Sequence, residues 1–193
     1  MSELRDYSGE FKPDLQIEDF SKDFLVKLMR QWSAAYLRMT ELWNDAIVRR
    51  WDTEAAIPCE VEAWVRTSEI THPKIAKALN MEPKNIVDIM KLIQILPDGV
   101  GAGVYDPEYE IINENHVIMK FVRCRTLEFY EKRNQPERIV TVCQKIDPPC
   151  IERAVTVWFP NAEMKPLWMP SGPRSEEEKG KPPCAWEFKL KSS

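Results

Sequence analysis

The residue types best suited to chemistry are scarce in this chain. It carries two histidines, His72 and His116, and five cysteines, Cys59, Cys124, Cys143, Cys150 and Cys184. Two histidines cannot build a His-rich metal site, and no CxxC pair offers a zinc ribbon or a thioredoxin-like centre. The odd number of cysteines points to free thiols in a reducing, cytoplasmic setting, not to a disulfide framework. No motif requires a cofactor. If the thiolates of Cys124, Cys184 and the pair flanking "QKIDPP" converge, zinc or iron is the metal they would hold. Burial as small hydrophobes explains scattered cysteines without any metal. The candidate catalytic set is His116, Glu41, Cys124 and Cys184. His116 is an acid/base near neutral pH. Glu41 becomes one if burial raises its carboxyl, although with Asp45, Arg38 and Arg49 it also reads as part of a solvated charged face. The cysteines are thiols or ligands. His116 and Cys124 share a strand face eight residues apart, roughly 26 Å, so that strand alone does not bring them together.

The elements that must position these residues divide the chain in two. Residues 1–20 read as an arm, with Phe11, Leu15, Ile17 and Phe20 as possible anchors. Residues 21–97 read as a helical lobe. Ser21 suits an N-cap, and Phe24, Leu28, Trp32, Ala35, Met39, Trp43 and Ile47 recur at helical spacing. A helix through residue 50 would span about 45 Å. Pro58 and Pro73 suggest shorter helices after it, His72 reads as a helix entry or surface position, and "NIVDIMKLIQIL" gives a compact apolar helix. Residues 98–107, with GVGAG, read as a linker: the Lys-Ser/Thr ending of a phosphate loop is missing. In the mixed lobe, 108–193, "EYEIINENHVIMKFVRC" predicts a hairpin. "PERIVTVCQKI" leans to helix, "IERAVTVWFP" reads as a strand, and "CAWEFKL" as another. The proline-rich stretch between these last two reads as an exposed, mobile loop at Ser171–Lys181, a candidate lid. The fold expected is α+β: helices of the first half packed on an antiparallel sheet of about four strands, one domain with two lobes.

Aromatic residues fit this layering. Trp32, Tyr36 and Trp43 lie on the long helix, and Trp158 and Trp186 in the second half. Between layers they would line an internal pocket for a small apolar or aromatic molecule. The formal net charge of −4 gives no footprint for nucleic acid. No apolar run reaches membrane-span length, and the polar N-terminus is no signal peptide.

"YLRMTELWNDAIVRRWDTEAA", the strand ending in Cys124, "KIDPP" and the terminal "CAWEFKL" together resemble an uncharacterised family of small cytosolic proteins of anaerobic bacteria and archaea. The likeness covers residues 24–190. Here Thr40–Glu41 replaces the family's acidic-Gly pair before Leu42–Trp43. Arg49 and Arg50 replace acidic residues, and cysteines expected near Glu131 and Trp158 are absent. The resemblance implies a cytosolic location and lends weight to Cys124 and Cys184; it carries no activity. Three readings stand: a small enzyme or ligand-binding protein with an aromatic-lined pocket, a non-catalytic homodimeric interaction protein, and a cysteine-ligated metal protein.

Overall fold

The computed structural model describes residues 3–97, 99 and 103–191. Asp98, Val100, Gly101 and Ala102 of the expected linker lie outside the described residues. Helix α1 runs unbroken over Lys22–Arg50, capped by the Ser21 side chain, which accepts from the Phe24 N–H. The arm folds back on its start. Leu4 pairs with Phe20, and the Phe20 and Phe24 rings stack at 4.1 Å. Helix α2 spans Thr53–Ala78 and passes through both Pro58 and Pro73. Each internal proline costs about 3 kcal/mol. Packing along Ala56, Ser68, His72 and Ala76, all buried, outweighs that cost, so the expected shorter helices are one. Helix α3, Ile86–Ile95, begins at Asn85, which caps the Asp88 N–H.

The sheet follows: β1 Tyr105–Asn113, β2 His116–Cys124, β3 Ala162–Trp168 and β4 Cys184–Leu190, all antiparallel in the order β1-β2-β4-β3. Between β2 and β3 lie α4 (Arg125–Lys132), α5 (Pro136–Val140), a π-helical turn (Thr141–Ile146) and α6 (Asp147–Thr156). The α+β class and the four antiparallel strands agree with the expectation, but one strand differs in identity. "IERAVT" is helix, followed by a turn at Val157–Trp158, because Pro148–Pro149 start a helix at Asp147 and Ile151, Ala154 and Val155 repeat at helical spacing. "AEMKPLW" is the strand instead. Its Pro166 is tolerated because β3 is an edge, as β1 with Pro107 is on the other side.

Val117, Met119, Phe121, Trp186 and Phe188 form the inner face of the sheet and pack against Ile86, Ile89 and Met90 of α3 and Val155 of α6. The cover thus comes from both halves of the chain. The outer face carries His116, Lys120 and Glu187.

Candidate functional site

Helices α2 and α6 and the inner face of the sheet line a partly open cavity of about 160 Å³. Trp64, Ser68 and His72, one α2 face at spacings of four, form one wall. Cys143, Asp147, Cys150 and Ala154, again one helical face, form a second; Phe121, Cys184 and Trp186 of the sheet form a third. Pro170 and Pro183 close the side where the β3–β4 loop crosses.

Cys124 reaches this cavity through an irregularity that strand alternation hides. The β1–β2 register shifts between Asp106 and Pro107, pairing Asp106 with Arg123 but Pro107 with Phe121. The extra residue, Val122, is a bulge. It leaves Val122 and Arg123 both exposed and turns Cys124 back toward the inner side. There the Cys124 sulfur also caps α4, accepting from the Leu127 N–H at 3.4 Å.

The π turn has a local cause. Pro148 and Pro149 lack N–H donors, and their rings crowd the carbonyls four residues back, Gln144 and Lys145. A wider turn relieves that crowding, and the Asp147 N–H donates to Val142 O, five residues back. Cys143 lies in this turn and Asp147 at its end.

Burial dominates the electrostatics. The Asp147 carboxyl is half-buried and pushed up to about 7 by desolvation and by the negative charge of Glu60, against a smaller pull from Arg138. Burial raises Cys124 to about 12 and raises Cys143 and Cys184 as well. Cys124, Cys143 and Cys184 each feel the Asp147 charge, so the three thiols and the carboxyl form one cluster. The thiols are neutral at pH 7. His72, which sequence reading put at a helix entry or surface, is buried, and desolvation lowers it to about 4. It too is neutral.

Beside the cavity lies an ion network. Arg138 of α5 donates to Glu60 at 2.9 and 3.0 Å and to Glu41 at 3.1 Å. Tyr130 O–H also donates to Glu41, and Asn44 donates to Glu60 at 2.8 Å. Glu41 therefore faces the protein, held by a cation and a phenol, and ties α1 to α4 and α5 instead of lining the cavity.

The other sequence candidates are distributed unevenly. Cys124, Cys184 and Trp186 meet at the cavity. His116 lies on the opposite face of the sheet, 2.9 Å from Glu187, which also pairs with Lys165. Trp158 packs in the core beside α3. Trp32 and Trp43 point outward and do not line the internal cavity; Tyr36 sits edge-on to Trp64, and with Trp43 it borders a surface groove between α1 and α2. Sequence reading missed Asp147, Cys143 as a cavity residue, His72 and Trp64. The Cys143–Asp147–Cys150 spacing on a helix was the available signal.

The expectation of a zinc or iron site is corrected. Among the described residues no group of three or more His, Cys, Asp or Glu side chains is arranged to hold a metal ion. The β3–β4 loop is also less free than expected. Arg174, nearly buried, makes a bidentate pair with Glu131 at 2.9 and 2.8 Å, and Gln144 donates to Pro170 O.

Fold and site define an α+β protein with a cavity of thiols and one half-buried carboxyl beneath an antiparallel sheet. The chain belongs to the family described as "Family of unknown function (DUF6125)", which matches residues 18–190. The match carries the family alone; the anaerobe habitat and the Leu42–Trp43 and Cys-Ala-Trp-Glu-Phe signatures are not part of it. No curated protein and no solved structure matches. Among the described residues no helix is long and apolar enough to cross a membrane.

Proposed function

We propose that the cavity binds a small, uncharged apolar or aromatic molecule and that Asp147 is the group that gives or takes a proton there. One observation carries the reading: Asp147, Cys124, Cys143 and Cys184 converge, with Trp186, on one partly open cavity. A cavity of this size takes a molecule about as large as benzene, and neutral thiols, a neutral imidazole and indole faces favour an uncharged guest. Asp147 is the one carboxylate among the described lining residues. A carboxyl held near 7 divides between acid and base at neutral pH, which suits general acid–base chemistry. A thiol attack would first require loss of its proton, and Asp147 is the base within the cluster. The five cysteines, none of them in a disulfide, support a cytoplasmic setting.

A second reading rests on a separate observation. Helix α1 turns apolar side chains outward, which suits a protein that works by pairing with another chain.

Benzene, phenol and indole serve as probes of the cavity. Each should raise the melting temperature of the wild type. Ala154→Phe, which fills the cavity, should abolish the shift. Native mass spectrometry of untagged protein reads any retained molecule. The absence of both a probe shift and a retained mass would sink the pocket reading.

A further inference from the structure

Helix α1 carries an apolar ridge on its outer side, while its inner side is largely polar apart from Leu37, which lines the cavity. Its buried residues are polar, Ser33 and Asn44, and Glu41 on the same side enters the ion network. The opposite side is apolar and faces water. Trp32 is 58 % exposed, Met39 60 %, Leu42 54 % and Trp43 64 %. A surface helix of a self-contained domain shows the reverse pattern, and a monomer rarely leaves so long an apolar ridge uncovered.

The spacing of this ridge names its partner. Leu28, Trp32, Ala35, Met39, Leu42 and Ala46 follow one another at four, three, four, three and four residues. That is the seam of a coiled coil, whose period of 3.5 fits another helix better than a lipid surface. Charge then selects the orientation. Exposed Arg38 and Asp45 flank one side of the seam, and exposed Trp43 and Arg50 the other. In a parallel pair, each flank residue meets the residue five further on in the other chain. Asp45 then faces Arg50 of the second copy, and Arg38 lies over the Trp43 indole of the second copy. An antiparallel pair would instead bring the two Arg38 side chains together near the dyad.

We infer that the chain forms a parallel two-fold dimer through the outward face of α1. Full burial of a tryptophan removes roughly 150–250 Å² from water. Trp32 and Trp43 of two copies, each more than half exposed, bring on the order of 500 Å² to the joint. The methionine and leucine ridge along 29 residues of helix carries this toward the roughly 1,200 Å² at which interfaces become stable. The inference is independent of the cavity: a probe that fails to bind there says nothing about this joint.

Sedimentation velocity on the full chain at about 50 µM, where a micromolar dimer is largely assembled, tests it. The wild type should sediment as a dimer. Met39→Glu with Leu42→Lys should raise the dissociation constant about 100-fold or more. Helical circular dichroism and melting temperature of the monomer should stay unchanged, because neither side chain is in the core. Ala35→Glu, on the same seam, serves as a second variant should that one fold poorly. Asp45→Arg should weaken the dimer about tenfold, and adding Arg50→Asp should restore it. A wild-type monomer, a dimer that survives every seam variant, or a charge swap that fails to rescue would each overturn the proposal. So would a monomer that floats with anionic phospholipid vesicles, which would assign the ridge to a membrane surface.

Discussion

Replacing Asp147 with asparagine should change how stability depends on pH. The wild-type carboxyl ordinarily titrates at 3.8 and is held at about 7 in the fold, chiefly by burial. Its folded value lies above its unfolded one. Between the two the native state binds more protons than the unfolded state, so this group's contribution falls as pH rises. The loss begins near pH 4 and is complete just above 7, and a rise from 3.8 to about 7 corresponds to about 4 kcal/mol in all. Between pH 5 and 8 it amounts to about 2–3 kcal/mol. His72 works in the opposite sense. Its folded value is depressed to about 4 from 6.5, so it adds stability as pH rises through that window, about 3 kcal/mol in total. The wild-type profile is therefore flattened by two opposing slopes. Asparagine keeps the shape of the protonated carboxyl but cannot ionise. Urea unfolding of wild type and Asp147→Asn at pH 5, 6, 7 and 8 isolates the carboxyl, because the His72 contribution cancels in the difference. The variant should gain on the wild type by about 2–3 kcal/mol from pH 5 to pH 8. Parallel profiles would refute the reasoning and leave Asp147 an ordinary carboxylate.

Arg138→Met leaves Glu41 and Glu60 facing each other without their cation and should cost about 3–5 kcal/mol by urea unfolding; a loss below 1 kcal/mol would mean that water already screens the network. Trp186→Ala should cost about 3–5 kcal/mol, whereas Glu187→Ala on the outer face should cost under about 1 kcal/mol; comparable losses would contradict the placement of the two faces. In native protein a thiol reagent should label exposed Cys59 quickly and Cys124, Cys143 and Cys184 slowly, with denaturant releasing them; mass spectrometry of timed samples reads the order, and fast labelling of Cys184 would make the last strand a loose tail.

The α+β layering was legible because its signals are local. The helical period of α1, the Asn85 cap and the alternation of β2 and β4 need no long-range information. The misreadings occurred where distant packing overrides local preference. Pro58 and Pro73 should break a helix, yet α2 is held along its buried face. "IERAVT" has the β-branched composition of a strand, but a proline pair commits it to helix. The site was harder still. Cys124 reaches the cavity only through the bulge at Val122, which depends on the β1 register. The stripe of α1 was read correctly as a helix, but Trp32 and Trp43 were expected to line an internal pocket and instead point outward, because periodicity reveals that a face is apolar and not which side it meets.

The π turn at Thr141–Ile146 also sets an angular phase along its rod. In a regular α-helix successive residues advance by about 100°, so Arg138 and Asp147, nine apart, would stand about 180° from each other. One of them would then face water. The wide turn absorbs roughly one residue, and the angle shrinks to about 80°. Arg138 can then reach Glu41 and Glu60 while Asp147 enters the cavity within range of the same guanidinium. Deleting Thr141 would give a regular helix at the same length of rod and keep the two groups about 80° apart, whereas a regular helix with no deletion would turn one of them toward water. The proline pair thus acts as a phase key for the two charges, coupling the network that ties α1 to the body with the carboxyl that serves the cavity.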